Sequence, residues 1–176
     1  LASETGDNCV KRNLEALREA TGTDAICIAL FDPEQKTVER VAGAAGLFAP
    51  FDPQVMKGDS IERLPYLART LGHLRILEMR DTLSPRRDFA VDAARFAELG
   101  MRSLLVCGLS LNGRVHGFMA LCSAQPRDGW DANLHLLLKL VGASFATGLE
   151  RLRVARHVAR LEERYSLSLP SANDGL

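Results

Sequence analysis

The four cysteines are the side chains most able to do covalent chemistry in this chain. Cys9, Cys27, Cys107 and Cys122 lie in apolar surroundings, and none belongs to a C-x-x-C pair, the spacing of zinc and redox sites. Catalysis by Cys107 would need an attacking thiolate and a second thiol within reach. Because the other cysteines fall on separate segments, the pattern favours buried, reduced thiols over a catalytic pair.

A second candidate is the pair of arginines in "SPRRDF", which begins at Arg86 and is followed by Asp88. Two guanidinium groups beside the start of a helix could bind an anion, and the helix N-terminus adds partial positive charge. Phe89, Ala93 and Phe96 share one face of that helix and could line a pocket. The alternatives are a solvated loop and a face that fills the core.

The histidines do not form a metal site by spacing. His116 and His135 have no second ligand at helical or strand spacing, so no metal is predicted. His157 lies on a long predicted helix, where a kinase phosphoacceptor would also lie. The residue after it is Val158 rather than an acid, which favours a solvated histidine.

The balance of charge excludes some classes of partner. The 176 residues carry 22 Lys plus Arg and 22 Asp plus Glu, so no net field attracts the chain to nucleic acid or an anionic membrane. The sequence shows no signal peptide, and the apolar segments are broken by charge or glycine. We therefore expect a cytoplasmic domain without nucleic-acid binding or membrane insertion. Because the chain begins at Leu1, we expect a piece of a longer protein.

Hydrophobic periodicity predicts a mixed order of helices and strands. Apolar residues at helical spacing predict an amphipathic helix over 8–20. "DAICIALFD" and "TVERVAG" predict two antiparallel strands, the first buried on both faces. "HLRILEM" predicts a short strand, after a segment in which Pro65 should interrupt a helix. Asp88 is predicted to cap the helix in "FAVDAARFAEL", which Gly100 ends.

The clearest local signal is "RSLLVCGLSLNGRVHGFMALCS", two strand-like runs joined by the turn "NG". A two-residue turn pairs Leu111 with Arg114, and an unbroken register then places Cys107 opposite Phe118. Both faces of this hairpin are apolar, which predicts helices on both sides of the sheet. The same register sets two glycines opposite each other, leaving room for a bulge, a close helix or a ligand: Gly108 and Gly117.

A long helix is predicted from Asp131 with no proline until Pro170, and it carries two apolar stripes. The first stripe, suited to packing on the sheet, comprises Leu134, Leu138, Val141, Phe145, Leu149 and Leu152. The second, at alternating spacings of four and three, comprises Val154, Val158, Leu161 and Tyr165. The step from Leu152 to Val154 turns the stripe by about 200°. One helix could therefore pack on its own domain and then on a partner.

This order of elements resembles the GAF domain family of signalling proteins. The resemblance is best at "ELGMRSLLVCGLSLNGRVHGFMALCS", Trp130 and "LLLKLVGASFATGLERLR", and it spans about 8–155. It implies an α+β fold with a central, mainly antiparallel sheet, helices on both faces and a long C-terminal helix. A sensory domain is expected over 1–155, with a connector helix over 156–169.

The resemblance also implies binding of a small molecule. The candidate ligand-binding residues are Arg86, Phe89, Ala93, Phe96, Cys107 and Phe118. The Asn-Lys-Phe-Asp-Glu set of cyclic-nucleotide-binding members has no counterpart here. A bilin would need a suitably placed cysteine and haem a histidine near the pocket, and neither is found, so the cofactor stays unknown.

The end of the chain, "ERYSLSLPSANDGL", resembles the start of a PAS domain, expected at 170–176. This implies a parent protein with a GAF and then a PAS domain, and a histidine kinase or a cyclic-di-GMP synthase or hydrolase as output. We expect a non-catalytic sensor that dimerises through its C-terminal helix. Two alternatives stay open: an enzyme of the free methionine sulfoxide reductase type using Cys107, and a dimerisation spacer that binds no ligand.

Overall fold

The structure, a computed structural model, describes residues 2–47, 49, 51–73 and 76–169. The predicted PAS-like segment over 170–176 lies outside these residues. The helices are α1 (Ala2–Thr21), α2 (Pro65–Gly72), α3 (Ala90–Glu98) and α4 (Ala132–Ser168). The strands are β1 (Ala25–Phe31), β2 (Val38–Ala45), β3 (Ile76–Met79), β4 (Ser103–Leu111) and β5 (Arg114–Ser123).

The strands form one antiparallel sheet in the order β2, β1, β5, β4, β3, with β2 and β3 as its edges. One face carries α1 and α4, and its core includes Leu14, Ile28 and Leu138. The other face carries α2 and α3, with Phe96 and Phe118 in its core. The predicted α+β sheet with helices on both faces is confirmed. An antiparallel sheet buried on both sides explains why its central strands lack polar alternation.

The hairpin between β4 and β5 has the predicted turn, but the predicted register fails after two pairs. Leu111 pairs with Arg114, and the left-handed φ angles of Asn112 and Gly113, 52° and 75°, fit a two-residue turn. His116 is then an extra residue, a β-bulge that shifts the register by one. The corrected pairs are Cys107 with Met119, Gly108 with Phe118 and Leu109 with Gly117.

Close packing explains why glycine occupies position 117. A Cβ atom there would lie 2.0 Å from the carbonyl oxygen of Ala29 and 2.9 Å from the Cα of Leu30. Contacts this short with backbone atoms of β1 leave no room for any side chain. The glycine signal in the sequence therefore marks a close approach of two strands beside the bulge.

The segments before α2 and α3 start differently from the sequence expectation. Ser60 caps a short 3-10 turn, Ile61–Arg63, and α2 begins at Pro65, so the proline starts a helix rather than interrupting one. Asp88 does not cap α3, because it lies within the 3-10 turn Arg87–Phe89 that precedes this helix.

The helix α4 begins at the cap Asp131, whose side chain accepts a hydrogen bond from the backbone N–H of Asn133. Its first half packs on the sheet along the predicted stripe as far as Leu149. Leu152 departs from the prediction, since 57% of its surface is exposed. Every residue from 151 to 169 is exposed, so α4 leaves the body of the domain at Leu149.

Among the described residues, α4 is the one helix long and apolar enough to cross a membrane by length and composition. Within the domain, however, Leu138, Gly142 and Ala146 of α4 are buried against the sheet.

Candidate functional site

A groove of about 470 Å³ opens between α2, the edge strand β3 and the 3-10 turn before α3. It lies on the side of the sheet that carries α2 and α3. Two arginines, two aromatic rings, a histidine and a glutamate reach the groove. The lining residues are Tyr66, Arg69, Thr70, His73, Ile76, Leu77, Glu78, Arg86 and Phe89.

Two cation–aromatic pairs form one wall of the groove. The rings of Tyr66 and Phe89 are in contact, with centroids 3.9 Å apart and planes at 59°. The guanidinium of Arg69 lies 5.5 Å from the Tyr66 centroid, and that of Arg86 lies 5.3 Å from the Phe89 centroid. Guanidinium groups held over rings can still donate hydrogen bonds to a carboxylate or phosphate. The wall therefore combines an aromatic surface with two positive charges.

Asp92 of α3 holds this wall in place. Its two carboxylate oxygens accept hydrogen bonds from the backbone N–H groups of Tyr66 and Leu67, at 3.1 and 2.8 Å. These are N–H groups that the first turn of α2 cannot satisfy itself, and Leu64 at the cap position provides no side-chain acceptor. Asp92 is completely buried, and burial raises the pKa of its carboxyl against the opposing effect of the two N–H donors.

The predicted ligand-binding residues do not all meet at the groove. Arg86 and Phe89 line it. Ala93, Phe96 and Phe118 are on the same side of the sheet but are fully buried in the core. These three side chains therefore pack in the core and do not line the groove.

Cys107 lies on the opposite side of the sheet, in the core under α4 with Met119 and Leu138. The predicted pairing of Cys107 with Phe118 is wrong. The bulge at His116 shifts the register of β5 by one residue, so Cys107 pairs with Met119 instead. Burial raises the pKa of the Cys107 thiol, which disfavours a reactive thiolate.

Two other thiols do come together. Cys27 on β1 and Cys122 on β5 are linked by a hydrogen bond between their thiols. This bond and burial together hold the pKa of the Cys122 thiol well above its ordinary value. The Cys122 sulfur also lies 3.8 Å from that of Met101. Both cysteines are buried and neither lines the groove, so the pair is packed as core rather than presented to a substrate.

One lining residue links the groove to the other side of the sheet. The carboxylate of Glu78 on β3 lies 3.0 Å from Nε2 of His135, in the first turn of α4. The same carboxylate accepts a hydrogen bond from Arg80 at 3.0 Å. Among the described residues, no group of three or more His, Cys, Asp or Glu side chains could hold a metal ion.

Sequence reasoning missed Tyr66, Arg69 and Glu78. The spacing of three between Tyr66 and Arg69 on a helix was a usable signal, because such residues lie on one face. Glu78 gave no signal, since its pairing with His135 depends on how α4 crosses the sheet.

An antiparallel sheet with a groove on one face and a long projecting helix on the other defines a class of small α+β domains. The family model of the GAF domain matches residues 6–149, and the chain belongs to this family. The match ends at the residue where α4 leaves the sheet. No curated protein sequence matches the chain significantly.

Solved structures show the same fold. The blue-light-absorbing form of the PixJ GAF domain of Thermosynechococcus elongatus aligns with 93% of this chain and 96% of its own, at 18% identity and a TM-score of 0.69. The phycocyanobilin-bound GAF domain of a cyanobacterial phytochrome aligns with 86% of this chain and 87% of its own, at 14% identity and a TM-score of 0.68.

Proposed function

We propose that this GAF domain is a sensory module that binds a small aromatic anion in the groove and reports its presence through α4. The observation that carries the proposal is the wall formed by Arg69 and Arg86 over Tyr66 and Phe89. An aromatic ring in the ligand would stack on the wall, and a carboxylate or phosphate would pair with a guanidinium. The domain has no catalytic activity of its own under this proposal.

The contact between Glu78 and His135 provides a route for the signal. Glu78 borders the groove, and its partner lies in the first turn of α4. A ligand that attracts or displaces the Glu78 side chain changes a polar contact that positions α4. This difference in contacts is what allows ligand binding to shift a conformational equilibrium.

The GAF domain of the cyanobacterial phytochrome binds phycocyanobilin, so a bilin is one candidate ligand to compare with the groove. No cysteine is among the residues that line the groove, so a covalent thioether link has no thiol at this site. The residues present therefore fit a ligand held by charge and stacking rather than an attached tetrapyrrole.

The proposal extends to the parent protein. We propose a homodimer joined through the exposed part of α4 and an output domain that is a histidine kinase or an enzyme of cyclic-di-GMP turnover. We propose a cytoplasmic location, without nucleic-acid binding. The packing of the first half of α4 on the sheet supports a helix that does not enter a membrane.

The ligand is tested by titrating the purified chain with benzoate, 4-hydroxybenzoate, phthalate and indole-3-acetate, followed by heteronuclear NMR. We expect saturable shifts at Tyr66, Arg69 and Phe89 with at least one probe. Arg86→Gln should weaken this binding about tenfold, because a hydrogen-bonded charge pair is lost. Arg87→Gln is the matched control, since Arg87 is adjacent and exposed but does not line the groove.

Native mass spectrometry of the same preparation reports subunit number and any molecule retained from the cell. If no probe binds and no molecule is retained, the alternative of a spacer without ligand is favoured. Turnover of free methionine sulfoxide that is lost on Cys107→Ser would instead support the enzyme.

A further inference from the structure

A second cavity, of about 250 Å³, lies at the root of the projecting part of α4. It is bounded by the end of β1 and the turn after it, the start of β2, the start of β5, and α4 around Glu150. It is separate from the groove, because the two cavities share no lining residue, and because this cavity lies at the ends of β1 and β5 while the groove lies beside the edge strand β3.

Two β-bulges shape the sheet at this cavity. The register of β1 with β2 shifts between Leu30 and Phe31, where Glu39 is the extra residue. The bulge at His116 lies on β5, the other neighbour of β1, directly before Gly117, which pairs with Leu30. Bulges redirect side chains, and here His116 reaches the cavity beneath α4.

The side of α4 that faces the sheet changes from apolar to basic at this cavity. Leu149 is the last residue of the packed stripe, and Arg153 and Arg156 follow it at four and seven residues. Residues at these spacings lie on one side of a helix. The helix therefore presents two guanidinium groups toward the end of the sheet.

The sheet also presents positive charge to the cavity. Arg40 of β2 and Arg114 of β5 line the opposite wall, beside His116. Burial lowers the pKa of His116, and Arg114 and Arg153 lower it further against the opposing effect of Glu150. Burial is thus the main reason that the pKa of His116 is lowered.

Two of the acidic residues at the cavity already have partners. Asp32 accepts hydrogen bonds from the backbone N–H of Lys36 at 2.8 Å and from the Thr37 hydroxyl at 2.7 Å. Glu150 lies 3.3 Å from Arg153 on the same helix. Glu39 is the third carboxylate, so four arginines share the cavity with three acidic residues.

We propose that this cavity binds the phosphate or pyrophosphate group of a small molecule and thereby fixes α4 to the end of the sheet. A bound polyanion can accept hydrogen bonds from guanidinium groups on both walls at once, and this shared contact would join α4 to the end of the sheet. Arginine suits the role because its fork of N–H donors matches phosphate oxygens. The site would be a second input to the same helix, independent of the groove.

The test is calorimetric titration of the full chain with sodium pyrophosphate, with chloride holding the ionic strength constant. We expect saturable binding, and we expect Arg114→Gln and Arg153→Gln each to weaken it by about tenfold or more. Arg160→Gln is the matched control, an exposed arginine on α4 that does not line the cavity. Arg86→Gln should leave pyrophosphate binding unchanged, which separates this site from the groove.

Hydrogen exchange supplies a readout that a purely structural role for the arginines would not move. Backbone amides of α4 just beyond Leu149 should exchange more slowly with pyrophosphate, and this effect should vanish in Arg153→Gln. Absence of saturable binding would overturn the proposal. Equal weakening by Arg160→Gln would also overturn it, because the effect would then be general attraction between charges.

Discussion

Asp92 is the residue on which the groove most depends, since a single buried carboxylate joins α3 to the start of α2. Burial raises the pKa of this carboxyl above the ordinary value of 3.8. Between that value and the raised one, the folded chain binds more protons than the unfolded chain, so this group makes stability fall as pH rises.

We therefore predict a pH-dependent effect of Asp92→Asn. The variant should be less stable by about 1–3 kcal/mol, because its amide cannot accept both hydrogen bonds. The difference from wild type should narrow as pH rises from 3.5 through the raised pKa toward 7. Urea unfolding across this range measures it. If the difference in stability instead widens as pH rises, the hydrogen bonds from the N–H groups of Tyr66 and Leu67 lower the pKa of Asp92 more than burial raises it.

Gly117 gives a second prediction at the scale of one residue. Gly117→Ala should destabilise the domain by about 3 kcal/mol or more, because the added Cβ would overlap the backbone of β1. Gly148→Ala is the matched control, since the space around that helical glycine is open and alanine favours helix by about 1 kcal/mol. Equal stability of the two variants in urea unfolding would contradict the packing argument.

At the scale of an element, α4 has an outer stripe longer than its sequence suggested. Leu136 and Leu140, on the side away from the sheet, are 58% and 63% exposed. Val154 follows Leu136 by about five turns at 3.6 residues per turn, which places both on one line along the helix. The predicted seam of Val154, Val158, Leu161 and Tyr165 thus begins on the side of α4 where these two exposed leucines lie. Periodicity alone left Leu136 and Leu140 unassigned, so the outer stripe was predicted to begin only at Val154.

The dimer proposal is tested on this stripe. Val158→Glu should raise the dissociation constant of the dimer at least about tenfold, since a charge would enter an apolar seam. Ala159→Glu is the matched control, because it adds the same charge to a neighbouring exposed position off the seam. Sedimentation equilibrium measures both. A wild-type chain that is monomeric at every concentration, or equal effects of the two variants, would contradict the proposal.

At the scale of the whole molecule, the order of elements and the antiparallel sheet could be predicted from local pattern. Apolar periodicity, the "NG" turn and the cap Asp131 act over a few residues and leave their mark in the sequence. The groove depends on contacts across the fold. Asp92 reaches α2 from 26 residues away along the chain, and Glu78 reaches His135 from 57. The bulge at His116 shifted the register without changing the apolar pattern, which is why Cys107 was predicted to pair with Phe118 rather than with Met119.

The exit of α4 from the body also makes it a lever arm. From Glu150 to Ser168 the helix extends about 28 Å at 1.5 Å per residue. A change of about 5° in its direction at Leu149 would carry Ser168 sideways by about 2.5 Å, close to half of one helical pitch. A rearrangement at the root as small as one altered salt bridge is thus magnified into a displacement of a few ångströms at the far end of the helix.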